Sequence, residues 1–232
     1  MTGVPKGLKI LTLLTVVFIA IAAGLVFLYA PLEAVMGQVQ RVFYFHVAST
    51  WTGMLGFLVS AVAGGLYLRS RRALWDVVSV AGVEIGIVFT FIGIVSGSIW
   101  ARPIWNTWWT WDPRLTTTTV MELVYLAYLM LRQGIDEPER RARFGAVYTI
   151  VGFISVPLTF FSIRIFRTIH PVIVGGSDPS STGAFDMTAR MLQTFLFSLV
   201  TFTLLFATLL WHRVRVGQLA GRVAQLKERL EE

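Results

Sequence analysis

Apolar residues are gathered along this chain into long blocks that polar and basic segments separate. A helix rises ~1.5 Å per residue, so about 20 apolar residues cross the ~30 Å hydrocarbon core of a bilayer. The fourth block is the shortest and opens with four threonines, so its outer end is expected at the membrane interface or against protein. The pattern predicts an all-α membrane protein with six transmembrane helices and external loops, at residues 8–30, 43–68, 77–101, 115–131, 144–166 and 188–211.

The last twenty residues follow a different pattern. Apolar residues recur there at spacings of 3, 4, 3 and 4, at Val216, Leu219, Val223, Leu226 and Leu230. This spacing predicts a short amphipathic C-terminal helix in the cytoplasm, which either lies on the membrane or docks a partner. We therefore divide the chain into a six-span membrane domain, residues 1–211, and a cytoplasmic C-terminal helix, residues 212–232.

Composition supports the membrane assignment. Hydrophobic residues make up 55% of the chain and charged residues 14%, with a mean hydropathy of +0.69. Soluble enzymes and nucleic-acid-binding domains carry a charged fraction nearer ~25%, so both classes are disfavoured and the partner expected is membrane lipid. The chain has no Cys, so a bound metal would need His, carboxylate or Met ligands.

The basic residues divide unequally between alternate connecting segments. Fourteen of the 20 Lys and Arg fall on one set: Lys6, Lys9, Arg69, Arg71, Arg72, Arg132, Arg140, Arg141, Arg143, Arg213, Arg215, Arg222, Lys227 and Arg229. The positive-inside rule places that set in the cytoplasm with both termini, and loops 31–42, 102–114 and 167–187 outside. The first block resembles a signal peptide around residues 20–22, but it exceeds the usual ~7–15-residue apolar region and is expected to be a span.

Tryptophan is concentrated in one predicted external loop. Trp100, Trp105, Trp108, Trp109 and Trp111 fall within twelve residues. An aromatic belt at the headgroup level is one interpretation, although a belt spreads its aromatics over many helix ends. A wall of indoles that binds a large planar ligand is the other, with Arg102 and Arg114 placed to pair with ligand carboxylates. Asp112 before Pro113 is equally well read as the N-cap of the fourth span or as a ligand contact.

Two of the three histidines belong to the same predicted face. His46 lies at the outer end of the second block and His170 in the loop after the fifth, whereas His212 lies among arginines at the cytoplasmic end and is expected to have no ligand role. An isolated external His is usually a hydrogen-bonded surface residue. Two neutral imidazoles beside an aromatic wall, however, are what bis-His ligation of a haem iron requires.

Three further residues lie inside predicted spans. Glu84 and Glu122 are ionisable groups in apolar surroundings, which are costly and so either functional or engaged in hydrogen bonds between helices. Pro157 lies in the middle of the fifth span and is expected to kink it.

Residues 100–116, WARPIWNTWWTWDPRLT, strongly resemble the tryptophan-rich WWD signature of the haem-handling proteins of cytochrome c maturation. Within that superfamily the chain is similar to the CcmC family over almost its whole length. The resemblance implies that His46 and His170 are axial ligands of a non-covalently held haem b. It also implies a porphyrin-binding surface that includes Trp100, Trp105, Trp108, Trp109, Trp111, Asp112, Arg102 and Arg114.

The same resemblance implies a place in the cell and a set of partners. Haem would be held at the external face of the bacterial inner membrane and passed to the haem chaperone CcmE, in an assembly with CcmD and the ABC transporter subunits CcmA and CcmB. The protein would then be a binding and transfer module and not an enzyme. Ala101 and Asn106 stand where family members often carry Gly, and Pro113 precedes Arg114, so a stiffer loop is expected.

Two other functions remain open at this point. A cytochrome c synthase of the related system II type resembles the same motif, but such proteins are longer and carry additional spans and a large external domain. A transporter that conducts haem across the bilayer would need a polar path between the spans, and Glu84 and Glu122 are weak evidence for one.

Overall fold

The computed structural model describes residues 3–33, 36–166, 168–170 and 187–231. Every regular element in these ranges is a helix. The helices are α1 (Lys6–Gly24, continued by a π-helical turn at Leu25–Tyr29), α2 (Gln40–Ser70), α3 (Ala73–Trp105), α4 (Pro113–Gln133), α5 (Pro138–Gly152), α6 (Ser155–Ile165) and α7 (Ala189–Glu231). Of the predicted external loop 167–187, only residues 168–170 and 187 are described.

Five stretches of the described chain are long and apolar enough to cross a membrane: Lys6–Tyr29, Gln40–Ser70, Ala73–Trp105, Pro138–Ile165 and Ala189–Glu231. The all-helical, multi-pass class is therefore confirmed. Helix α4 forms where the fourth span was predicted, but its polar first turns keep it out of this set. The sixth span stays a prediction.

The helices also run further than the apolar blocks. Helix α3 continues through Pro103 to Trp105, so the segment outside helices between α3 and α4 is residues 106–112 and not 102–114. Asn106 ends α3 with φ of 54°, in the left-handed region that Gly and Asn enter most easily. Asn106 therefore ends α3 in a conformation for which the resemblance led us to expect Gly.

Helices α2 and α3 pack with their backbones almost in contact, because glycines lie at the crossing. A β-carbon at Gly56 would lie 2.6 Å from the carbonyl oxygen of Gly82, and one at Gly82 would lie 2.7 Å from the carbonyl oxygen of Gly56. Ser60 and Ser79 add a hydrogen bond of 2.9 Å between the two helices. Small residues allow this kind of close approach inside membranes, where a hydrophobic drive between helices is absent.

Pro157 explains the break between α5 and α6. Proline has no amide hydrogen, so the carbonyl of Phe153 loses its usual partner four residues on, and the helix is interrupted at Phe153 and Ile154. The predicted kink is confirmed. After this break, α6 packs against α4, and the Thr159 hydroxyl donates a hydrogen bond to the carbonyl of Thr117 at 3.1 Å.

Helix α7 runs antiparallel to α1 and extends well beyond it. The hydroxyls of Thr15 and Thr208 lie 2.7 Å apart, Phe18 stacks on Phe197 at 5.2 Å, and Thr12 contacts His212. No break separates residues 212–231 from the last span. The C-terminal segment is helical as predicted, but it extends the span instead of forming a separate helix.

The two intramembrane carboxylates have different surroundings. Glu84 is paired with Arg213, whose guanidinium donates to it at 2.8 Å, so Glu84 ties α3 to α7. Glu122 is buried in α4, and its Oε2 has no hydrogen-bond partner among the residues the structure describes. Among the described residues, the side chain of Glu84 thus makes an ion pair between helices, whereas Oε2 of Glu122 makes no hydrogen bond.

The α2–α3 crossing can be tested with one added methyl group. Gly56→Ala should lower the free energy of unfolding by about 1–3 kcal/mol, because the methyl would press on the backbone of α3. Gly65→Ala, on the same helix but with nothing within 4 Å of the added carbon, is the matched control and should be neutral or slightly stabilising. Denaturant titration in detergent micelles measures both, and equal stabilities would contradict the close packing.

Candidate functional site

A cavity of about 440 Å³ opens among α2, α3, α4, α6 and α7 at the end of the molecule that carries the tryptophan loop. Pockets of ~300–1,000 Å³ are the size that binds cofactors and drug-sized ligands. Six of the ten predicted site residues line it: His46, His170, Trp100, Trp105, Trp108 and Arg114. Four do not belong to the lining: Trp109, Trp111, Asp112 and Arg102.

His46 lies in the second turn of α2 and is fixed against α3. Its Nδ1 lies 2.9 Å from the carbonyl oxygen of Gly93 and 3.4 Å from the hydroxyl of Ser96. A carbonyl oxygen only accepts hydrogen bonds, so Nδ1 carries the proton and the neutral ring keeps its lone pair on Nε2. A metal-binding histidine is commonly oriented in this way, through its other nitrogen.

The histidine ring fits against α3 because Gly97 has no side chain. A β-carbon at Gly97 would lie 2.8 Å from Cε1 of His46 and 3.2 Å from Nδ1. Any larger residue would push the ring off its hydrogen bond to Gly93. The sequence gives α3 a Gly at both positions, four residues apart, and these glycines position His46.

His170 lies outside the helices and is held by side chains of another segment. Its Nδ1 is 3.4 Å from Oδ2 of Asp112, and its backbone amide donates to the Thr168 hydroxyl at 3.2 Å. The Thr168 hydroxyl itself donates to the same Asp112 oxygen. As at His46, the contact engages Nδ1 and leaves Nε2 for a ligand.

Asp112 is the N-cap that one of the two interpretations predicted, and it also contacts His170. Direct contact with a ligand stays a prediction, since Asp112 does not belong to the cavity lining. Its Oδ1 accepts the amide of Leu115 at 2.9 Å, with Pro113 in the first turn, so it is the N-cap of α4. Its Oδ2 meets His170 and Thr168. Burial alone would raise the pKa of this carboxyl, but the hydrogen bonds from His170, Thr168 and Leu115 outweigh it and hold the pKa well below its usual range. The carboxylate therefore stays ionised beside His170.

The tryptophans form two groups. Trp100 and Trp105 meet edge to face with centroids 5.4 Å apart, and Trp105 meets the His170 ring at 5.5 Å. Trp109 and Trp111 form a second edge-to-face pair at 5.5 Å, outside the cavity lining, and Trp111 is 72% exposed. Trp108 lines the cavity while 59% of its surface stays exposed, so it lies at the mouth.

Both predicted arginines are engaged with the backbone. The Arg114 guanidinium donates to the carbonyls of Thr159 and Phe160, which joins α4 to α6 beside the cavity. Arg102 donates to the carbonyl of Asn106 at 2.7 Å and lies over the Trp108 ring at 6.0 Å. Arg114 thus lines the cavity directly, whereas Arg102 supports the tryptophan at its mouth.

Sequence reasoning missed residues that complete the lining. Arg164 of α6 faces the same cavity and was counted only as an external charge. Thr50, Trp51, Met54 and Thr90 extend the lining into the membrane-spanning part. The buried indole N–H of Trp100 and the Thr90 hydroxyl have no hydrogen-bond partner in the described part of the chain. Buried donors without partners are rare in proteins, and here they border a cavity.

These features define a multi-pass helical membrane protein with a histidine- and tryptophan-lined cavity at one end. The family model described as CcmC, Heme exporter protein C, matches residues 4–229. The chain therefore belongs to the CcmC family, as its tryptophan motif predicted.

Individual relatives agree with the family match. The chain is 35% identical to the Heme exporter protein C of Bradyrhizobium diazoefficiens over 201 residues, 85% of this chain and 74% of the relative. It is 31% identical to the Heme exporter protein C of Escherichia coli K12 over 189 residues, 81% and 74% of the two chains. A putative cytochrome c biosynthesis ccmC-like mitochondrial protein of Marchantia polymorpha is 30% identical over 156 residues, 67% of this chain and 63% of the relative.

The two roles of Asp112 can be separated by side-chain length. Asp112→Ala should lower the free energy of unfolding by about 1 kcal/mol more than Asp112→Ser, because serine can still cap α4 while being too short to reach His170. Denaturant titration of both variants beside the unsubstituted chain measures the difference. Equal losses in the two variants would mean that the contacts to His170 and Thr168, and not the cap, dominate the stabilising effect.

Proposed function

We propose that this protein holds non-covalent haem b at the external face of the membrane and presents it for transfer to the haem chaperone CcmE. His46 and His170 would be the axial ligands, each through Nε2. The observation that carries the proposal is their shared cavity: both histidines line it, and each has its Nδ1 occupied by a partner from another segment. Bound haem supplies the iron and the planar macrocycle, and the chain supplies ligation, stacking and orientation.

The remaining lining suits a porphyrin. Trp100, Trp105 and Trp108 offer flat apolar surfaces of the kind that stack on an extended ring. Arg114 and Arg164 bring positive charge to the same cavity, where the two haem propionates would need it. The buried N–H of Trp100, which has no partner among the described residues, is a further donor for a ligand oxygen. Asp112 would not contact haem but would orient His170. Arg102 would likewise hold the ring of Trp108 in position.

The location and partners follow from the family and the charge pattern. The excess of Lys and Arg on one set of connecting segments supports an inner-membrane protein with both termini in the cytoplasm and the histidine cavity outside. In this orientation haem at the cavity would be accessible to CcmE. CcmD and the transporter subunits CcmA and CcmB would complete the assembly that the resemblance implies.

A binding and transfer module is a better account than an enzyme or a channel. The family model that matches residues 4–229 is described as an exporter protein, which supports a haem-handling module over the predicted system II synthase alternative. A polar conduction path would need a series of free carboxylates across the membrane. Of the two predicted candidates, Glu84 is paired with Arg213, which leaves only Glu122 for such a path. Export in this family would then consist of presenting haem at the external face.

The ligand pair is tested by replacing each histidine. His46→Ala or His170→Ala should remove one axial bond and convert a low-spin bis-His spectrum into a high-spin or solvent-ligated one. His212→Ala is the matched control, since His212 contacts Thr12 at the opposite end, and it should leave the Soret band unchanged. Absorption spectra of the protein purified in detergent measure this, and a shift seen only in His212→Ala would refute the external site.

The aromatic contribution is tested at the mouth of the cavity. Trp108→Ala should weaken haem retention roughly tenfold or more, since a lost aromatic contact costs ~2 kcal/mol, while the bound fraction keeps its bis-His spectrum. Trp211→Ala, at the other end of the molecule, is the matched control. The haem-to-protein ratio after dilution measures retention. An undiminished ratio in Trp108→Ala would contradict the ligand-binding wall and favour the interpretation of the loop as an aromatic belt.

A further inference from the structure

The final four turns of α7 carry an apolar stripe that nothing in the described structure covers. Helix α7 still lies close to α3 at Gly217, where a β-carbon would lie 2.6 Å from Cγ1 of Val77. Beyond it, residues 218–231 are all exposed. We call the stripe the C-terminal seam, and it consists of Val216, Leu219, Val223, Leu226 and Leu230, with exposed fractions of 50–85%.

The seam has the spacing and the residue types of a two-stranded coiled coil. With Val216 at heptad position a, the a positions are Val216, Val223 and Leu230, and the d positions are Leu219 and Leu226. β-branched residues at a with Leu at d favour a two-stranded parallel pairing. One helix of such a pair is already folded, because the seam residues continue the helix of the last span.

The charges beside the seam are of one sign. Positions e and g, which flank the apolar stripe, hold Arg222, Lys227 and Arg229, and all three are exposed. The acidic residues Glu228 and Glu231 fall at positions f and b, on the side away from the seam. Pairing with a second copy would place Arg222 opposite Lys227 of that copy, and like charges there oppose association.

The unbroken course of α7 argues against the interpretation that the seam lies on the membrane surface. Helix α7 has 43 residues, about 65 Å of helix, which is roughly twice the hydrocarbon thickness. A segment that lies in the interface plane must bend sharply where its span ends, and α7 has no proline and no interruption there. The seam therefore projects away from the bilayer along the direction of the span.

We propose that the C-terminal seam is a docking site for an amphipathic helix of another protein, with Leu, Ile or Val at its own a and d positions and Glu or Asp at its e and g positions. The acidic flanks would pair with Arg222, Lys227 and Arg229, and this pairing would select such a helix over a second copy of this chain. The proposal does not depend on haem, and its failure would leave the proposed function untouched.

The test uses the full chain in nanodiscs of zwitterionic lipid. The probe is a labelled three-heptad peptide with Ile at a, Leu at d and Glu at every e and g, and the matched peptide carries Lys at e and g. Fluorescence anisotropy should show roughly tenfold or tighter binding of the acidic peptide, with the preference shrinking at high salt. His46→Ala should bind the acidic peptide as the unsubstituted chain does.

Substitutions on α7 distinguish the seam from a general charge effect. Arg222→Glu with Lys227→Glu should reverse the preference to the basic peptide. Gln218→Glu with Gln225→Glu adds the same number of acidic groups at the c positions, away from the seam, and should keep the original preference. Leu219→Ser with Leu226→Ser should abolish binding of both peptides.

Three results would overturn the proposal. The first is no binding of the acidic peptide, and the second is self-association of the unsubstituted chain through the seam. The third concerns lipid: a Leu226→Trp reporter whose emission shifts to the blue in nanodiscs containing phosphatidylserine, but not in zwitterionic ones, would assign the seam to the membrane surface.

Discussion

The close approach of α2 and α3 is the constraint on which the candidate site depends. Glycines at the crossing, Gly56 and Gly82 among them, leave no room for a β-carbon. The same helix pair then meets at Gly93 and Gly97, where the His46 ring lies close to α3 and hydrogen-bonds to its backbone. A wider separation of the two helices would remove both the partner of His46 and one wall of the cavity.

The second half of the site is built in a different way. His170 follows the end of α6 and is positioned by Asp112, which begins α4. Arg114, two residues later, joins α4 to the carbonyls of α6. One histidine is thus mounted on a long helix, while the other is held at the junction of two helix ends, so the two would respond differently to strain in the loop.

The sequence predicted the helical class, the kink at Pro157, the cap at Asp112 and the convergence of two histidines with tryptophans. These follow from local rules: apolar length, proline chemistry and charge distribution. The roles of Gly93, Gly97 and Arg164 were not predictable, because they depend on which faces of α2, α3 and α6 meet. The division of the tryptophans into an inner group and the Trp109–Trp111 pair depends on the course of residues 106–112, which no periodicity describes.

The extent of the last helix was missed for a related reason. Hydropathy falls at His212, which marks the end of an apolar block but not the end of a helix, since Arg, Gln, Leu and Ala are all good helix formers. We predicted a boundary between the membrane domain and a C-terminal helix at this point. The residues there change from apolar to polar, but the helix continues without a break.

Because α7 is unbroken, one helix joins the cavity to the C-terminal seam. The helix carries Phe195, Leu196 and Leu199 in the wall of the cavity, rests on Val77 at Gly217, and carries the seam beyond that point. Leu196 lies 21 residues, or about 32 Å, from Gly217 along one unbroken helix, so no loop separates the cavity wall from the seam. Between them, the ion pair of Arg213 with Glu84 holds this helix to α3, and the contact of Thr208 with Thr15 holds it to α1. The seam and the cavity wall are therefore parts of one continuous element that two neighbouring helices hold in place.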